Sequence, residues 1–294
     1  MPTNRRFSFA DKAAFITGGS RGLGLVIGRQ LCQHGANVAI VARDIDELAH
    51  AKSELDRFRT EVLTIQCDLL DPAQIEQAEK TVVDHFGGLD IVINNAGIIE
   101  VGPLEHMQRK DFETAMAMHF WAPFHVVTEA IPHLRCRGGG RIVNISSIGG
   151  RIAVPHMAPY TASKFALVGF SDAIREELAR ENIYVTTVTP GMMRTGSQVH
   201  ARFKGDHAAE YKRFTASSTL PFASISAERA ARKILAACAN GRPALVMPIS
   251  ARALILANAL FPNLFSRLMK MVNKRLPQPV GRSGDELRVG SEIR

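Results

Sequence analysis

Seven short runs of β-branched and apolar residues recur along the chain, at Ala13 to Thr17, Val38 to Val41, Val62 to Ile65, Leu89 to Ile93, Arg141 to Ile145, Ile183 to Val188 and Ala244 to Met247. Helical patterns lie between them. After the second run, Asp44 is placed to cap a helix, Asp46 and Glu47 suit its positive first turn, and Leu48, Leu55 and Phe58 recur at near-helical spacing. Asp71-Pro72 opens the next helix in the same way. Strands that alternate with helices must run parallel, and a parallel sheet needs cover on both faces. The expected fold class is therefore α/β, a right-handed doubly wound parallel sheet of Rossmann type.

The alternation stops near residue 250. Ala251 to Leu276 reads as one or two apolar helices broken at Pro262, and the polar stretch from Pro277 is expected to be poorly ordered. The chain is read as one dinucleotide-binding and catalytic domain, 1–250, with a substrate lid at about 192–221. A C-terminal extension and tail, 251–294, follows.

Charge and cysteine usage exclude several classes. The net charge is +8, yet residues 229 to 284 hold ten Lys or Arg and no Asp or Glu, so the remainder sums to −2. A nucleic-acid binder would spread its basic residues differently, and no such motif is present. Cys32, Cys67, Cys136 and Cys238 contain no C-x-x-C pair, so neither a disulfide framework nor a metal site is expected. The N-terminus lacks an apolar signal segment, which makes a cytoplasmic location the default.

Directly after the first strand comes Thr17-Gly18-Gly19-Ser20-Arg21-Gly22-Leu23-Gly24, opening a helix. Gly18 permits the tight turn, Gly22 admits a pyrophosphate to the backbone, and Gly24 allows close packing while the helix N-terminus faces the anion. The second strand ends Val41-Ala42-Arg43, where chains that use NAD usually carry an acid. Arg43, with Arg21 opposite, suits the 2′-phosphate of NADP(H), so NADP(H) is expected over NAD(H). The competing reading gives Asp44 the ribose and leaves Arg43 solvated, but Asp44 is better placed as a helix cap.

Tyr160 and Lys164 are four residues apart in a helical segment, Pro159 to Arg180, and should share a face. A nearby ammonium is expected to lower the tyrosine pKa toward neutrality and fit it for acid/base work. The pair alone is a weak signal. It gains force from its ordered companions: Gly18-x3-Gly22-x-Gly24, Asn94-Asn95-Ala96-Gly97, Ser146-Ser147, Tyr160-x3-Lys164 and Pro190-Gly191.

In that order the set resembles the short-chain dehydrogenase/reductase family over roughly residues 10 to 248. The resemblance implies hydride transfer between NADP(H) and a secondary alcohol or ketone, or an aldehyde and its alcohol. Tyr160 would be the acid/base, Ser147 would polarise the carbonyl, with Ser146 the less favoured neighbour, and Lys164 would tune Tyr160 and bind the nicotinamide ribose. It further implies cofactor contacts from Gly18, Ser20, Arg21, Gly22, Leu23 and Gly24, from Arg43, and from Asp68 and Leu69 on the adenine side. Asn94, Asn95, Ala96 and Gly97 would wall the cofactor, and Pro190, Gly191 and Thr195 would meet its nicotinamide end. His119 departs from the pattern, standing where the family usually has the asparagine of its proton relay. It is read either as a relay imidazole or as a packed histidine.

Met192 and Met193, with Pro155, His156 and Met157, suggest a largely apolar pocket, although the lid also carries Arg194, Arg202, Lys204, Lys212 and Arg213. Homo-oligomerisation through the helices that hold Trp121 and Tyr160 is a further implication of the resemblance. The apolar and basic positions of 251–276 admit two readings, packing within the protein or peripheral contact with an anionic membrane. The rival function is a sensor or scaffold that binds NADP(H) without turnover.

Overall fold

The structure is a computed structural model that describes residues 7–218 and 224–293. Seven strands form its central sheet: β1 (Ala13–Thr17), β2 (Asn37–Ala42), β3 (Val62–Gln66), β4 (Ile91–Asn94), β6 (Gly140–Ile145), β7 (Ile183–Pro190) and β11 (Ala244–Met247). Their order is β11-β7-β6-β4-β1-β2-β3, and every pair is parallel. This is the expected doubly wound sheet. The chain reverses direction across it between β1 and β4, which makes their carboxyl ends the crevice where such sheets bind ligands.

Ten helices are described: α1 (Gly22–Gln33), α2 (Ile45–Leu55), α3 (Pro72–Phe86), α4 (Arg109–Met116), α5 (Ala122–Cys136), α6 (Ala158–Ala179), α7 (His207–Ser218), α8 (Ala227–Ala239), α9 (Ile249–Leu260) and α10 (Pro262–Asn273). Strand alternation sorts the core into two layers. Ile16 and its neighbours Ile40 and Ile93 face α1, α2 and α8, whereas Phe15, Ala39 and Val92 face α3 and α5. Local chemistry sets the helix starts. Asp44 accepts from the N–H groups of Asp46 and Glu47, and Asp71 accepts from Ala73 with Pro72 following it. No side chain caps α1, whose Ncap is Arg21.

Beyond the main sheet, β8 (Met192–Arg194) pairs with β10 (Ser224–Ser226), and β9 (Arg202–Phe203) lies between β5 (Glu100–Val101) and β12 (Arg288–Val289). The expected lid thus consists of β8, a turn at Ser197–Val199, β9 and α7; residues 219–221 of it lie outside the described residues. The apolar extension is two helices, the second opened by Pro262.

The tail departs from expectation. It folds back and pairs Arg288–Val289 antiparallel with the lid strand β9. His106 secures it, with Nδ1 bound to Asp285 Oδ1 at 2.7 Å and Nε2 accepting from Val280 N–H at 3.1 Å. Polar composition suggested disorder, but an otherwise open strand edge supplies the backbone partners that order these residues.

A buried charge cluster fastens the same sheet to α4. Lys204 Nζ, almost fully enclosed, lies 2.5 Å from Asp111 Oδ2, with the Glu100 carboxyl beside them. Burial, and then the Asp111 charge, push the Glu100 carboxyl up. Removing the cation leaves a buried carboxylate uncompensated, so Lys204→Ala should cost about 3–5 kcal/mol in urea unfolding. Arg109→Ala, which breaks the exposed pair with Glu113, should leave the midpoint unchanged.

Candidate active site

The glycine loop is built by backbone contact. Gly18 has φ +63°, and a Cβ there would lie 2.9 Å from Ala96 Cα; one on Gly24 would lie 2.2 Å from the Gly18 carbonyl oxygen. Asn95 staples the loop, donating through Nδ2 to the carbonyls of Thr17 and Gly18, both at 3.0 Å. Thr17 Oγ1 accepts from the N–H groups of Asn95 and Ala96. Gly22 has φ +56° and open space about it, with only Thr195 of the lid about 4 Å from a Cβ placed there. The uncapped start of α1 therefore faces a cleft between the glycine loop and the lid, a setting suited to a phosphate group.

That cleft, about 910 Å³, runs from the end of β2 to Tyr160. Of the expected cofactor residues, Gly18, Ser20, Arg21, Gly22, Leu23, Arg43, Leu69, Asn95, Ala96, Gly97, Tyr160, Lys164 and Thr195 line it. Gly24 is packed inside the loop instead. Asp68 accepts from the Leu70 N–H and shapes a turn, leaving Cys67 and Leu69 on the wall. Asn94 faces Asn144 within the sheet, and Gly191 donates to the Met247 carbonyl at 2.7 Å, which closes the end of β7.

The charges at the β2 end of the cleft are unequal. Arg21 pairs with Glu47, which also accepts from Ser20 Oγ at 2.8 Å. Asp44 is committed to its capping bonds. Arg43 is exposed on the cleft wall and takes part in none of the ion pairs found among the described residues. Glu47 escaped the sequence reading because its helix-capping value gave no hint that it would face the cleft. His200 and Val199 escaped it, and Arg202 was read only as a basic lid residue, because only the tertiary fold lays the lid against the loop.

At the other end, α6 begins at Ala158, putting Tyr160 in its first turn and Lys164 one turn on. Ser147 caps the short turn Ile148–Gly150, accepting from Gly149 N–H at 3.1 Å, and its hydroxyl lies beside the Tyr160 phenol. Ser146 donates to the Lys164 carbonyl, so the two serines have different work. Lys164 Nζ donates to the Ile145 carbonyl at 3.0 Å and lies 5.9 Å from the Tyr160 ring centre.

His119 is fully enclosed in a π-helical turn, Ala117–Trp121. Its Nε2 accepts from Ile98 N–H at 3.1 Å, which assigns the hydrogen to Nδ1, directed at Ser163 Oγ at 2.8 Å. Ser163 in turn donates to the Tyr160 carbonyl at 2.9 Å. Burial, and then the Lys164 charge, drive His119 well below its ordinary pKa. Both ring nitrogens are occupied in a neutral imidazole. In this geometry His119 holds the Gly97–Ile98 loop against the first turn of α6, the packed arrangement of the two expected for it.

Of the residues before the tyrosine, Met157 packs against the Val101, Ala201 and Phe203 cluster at the lid, whereas His156 binds Glu210 Oε1 of α7 at 2.6 Å and anchors the lid. Ile98, Ile99, Met118, Met193 and Val199 make much of the remaining wall apolar.

The electrostatics also depart from expectation. Burial raises the Tyr160 phenol, with the Ser147 hydroxyl only partly offsetting it, and burial lowers the Lys164 amine to about 7. The lysine's ordinary value is 10.5, so between these limits the unfolded chain holds the extra proton and stability rises with pH. Lys164→Met should therefore be more stable than the parent at pH 6, with the advantage shrinking toward pH 10 in thermal melts of protein with no nucleotide added.

Residues 12–204 match the short chain dehydrogenase family model. The Mycobacterium tuberculosis protein called oxidoreductase SadH is 31% identical over 264 residues, covering 89% of this chain and 95% of its own. Gluconate 5-dehydrogenase of Gluconobacter oxydans is 33% identical over 189 residues, 64% of this chain and 74% of its own. Among solved structures, L-sorbose reductase of Gluconobacter frateurii, complexed with NADPH and L-sorbose, superposes with a TM-score of 0.73 at 25% identity, covering 83% of this chain and 97% of the other. The ordered motifs, the doubly wound sheet and these relatives converge, and the chain belongs to the short-chain dehydrogenase family of oxidoreductases.

Proposed function

We propose that the chain interconverts a secondary alcohol and a ketone, or an aldehyde and its alcohol, on a largely apolar substrate with NADP(H). The observation that carries this reading is the single cleft that joins the uncapped start of α1 to Tyr160 and Lys164. The cradle fits a dinucleotide: Gly18, Ser20, Gly22 and Leu23 would hold the pyrophosphate, and Arg43 the 2′-phosphate. Leu69, Asn95, Ala96 and Gly97 would line its adenine side and centre, and Thr195 its nicotinamide end. When bound, the reduced nucleotide supplies a hydride to the carbonyl carbon.

The chain's own residues manage the proton. A buried, neutral Tyr160 is a donor, the form needed to protonate the oxygen as the carbonyl is reduced. Ser147, whose Oγ already accepts from Gly149, directs its own hydrogen at that oxygen and polarises the carbonyl. Lys164, poised near neutrality, would bind the ribose hydroxyls and favour the phenolate once protonated. In solution, α5 and α6 would pair between copies; exposed Trp121, just before α5, and Phe165, in the N-terminal half of α6, support that arrangement.

Tyr160→Phe should lower kcat/KM by about 10²–10⁴ in NADPH-oxidation assays with a confirmed carbonyl substrate, and leave NADPH affinity in fluorescence titration unchanged. Undiminished turnover would refute the assignment, and an intact chain that binds NADPH but reduces nothing in a broad carbonyl panel would favour the sensor. Arg43→Ala should raise the KM for NADPH roughly tenfold or more, with little effect on NADH.

A further inference from the structure

The extension α9–α10 presents an unusual surface. Of its 25 residues from Ile249 to Asn273, only Ala251 and Phe265 are buried. Ile249 is 80% exposed, Leu264 65%, Leu260 61% and Phe261 59%, and Leu256, Leu268, Met271 and Val272 are exposed with them. At helical spacing, Phe261, Leu264, Leu268, Met271 and Val272 fall within a stripe roughly 100° wide. Ile249, Leu256 and Leu260 share one face of α9 in the same way, and the two stripes meet at Leu260-Phe261.

The charge around the stripes names the occupant. Arg252, Arg267, Lys270, Lys274 and Arg275 accompany them, within a span from 229 to 284 that has no acidic residue. A second copy docked through this patch would set the same cations against each other, because a two-fold interface is self-complementary. An anionic lipid surface removes both problems: headgroups meet the cations while acyl chains receive the apolar side chains. No helix among the described residues is long and apolar enough to cross a membrane, so the hairpin would lie on the surface.

We propose that the α9–α10 hairpin docks the enzyme on an anionic membrane surface. Its neighbours place that surface beside the active cleft. Ala251 of α9 packs against Gly191, which leads into the lid, and Arg213 of lid helix α7 donates to the Arg275 carbonyl just past α10. An apolar substrate leaving the bilayer would emerge next to the lid. The docking itself does not depend on the chemistry at Tyr160.

The test is co-sedimentation of the full chain with vesicles of phosphatidylcholine alone and with phosphatidylglycerol mixed in. The chain should pellet with the anionic vesicles, weaken as salt rises and remain in the supernatant with the neutral ones. Leu264→Glu/Leu268→Glu should reduce partitioning roughly tenfold or more, and Lys270→Glu/Lys274→Glu should do so as well, each with an unchanged circular dichroism spectrum and melting point. Failure of the intact chain to bind anionic vesicles at low salt overturns the proposal. So does a leucine variant that binds them normally but has a smaller solution mass, which would make the patch an interface between copies.

Discussion

The site depends on how closely backbone is brought to backbone where the sheet reverses direction. Gly18 rests on Ala96, Gly24 rests on the Gly18 carbonyl, and the Asn95 amide bridges the carbonyls of Thr17 and Gly18. No side chain larger than hydrogen fits at either glycine. That contact ties the loop after β1 to the loop after β4 and fixes the floor of the cleft. The first turn of α6 is fastened to the same floor through His119, which holds Ile98 on one side and Ser163 on the other. The glycine loop and the Tyr160–Lys164 segment thus share one rigid support.

Burial governs the electrostatics of that support. It disfavours charge on Tyr160, Lys164 and His119 together. Burial and the Lys164 charge push His119 well below its ordinary value, and both its nitrogens are engaged by fixed partners. Lysine keeps its choice, since an amine near neutrality responds to whatever hydroxyls or phosphates come close. On the proposed mechanism the proton work therefore falls to Tyr160 and Lys164, while His119 holds Ile98 and Ser163 in place.

The fold was legible because a parallel sheet writes itself as buried runs separated by capped helices, and Asp44 and Asp71 cap where their positions indicate. The glycine loop was legible for the same local reason. What lay beyond the sequence was relational. Tyr160 and Lys164 read as an ammonium–phenol pair, but spacing carries no information about burial, which moves the phenol the other way. Glu47 reads as a helix residue until the fold turns it toward Arg21. Asp68 and Asn94 sit in the right segments, yet one shapes a turn and the other faces Asn144. The tail was misread because its order comes from a strand edge contributed by distant residues.

That edge has a consequence for folding order. Each strand of the small sheet under the lid is only two residues long, and β5, β9 and β12 are joined through long intervening stretches of chain, Val101 to Arg202 and Phe203 to Arg288. Closing such loops costs entropy that two-residue ladders return slowly, so these pairings should form last and open first, around a central sheet that persists without them. The lid strands are thereby expected to loosen before the central sheet does, held to the core meanwhile by Lys204–Asp111 and His156–Glu210. On the proposed reading, a dinucleotide would enter and leave by such local opening, without disturbing the core that carries Tyr160.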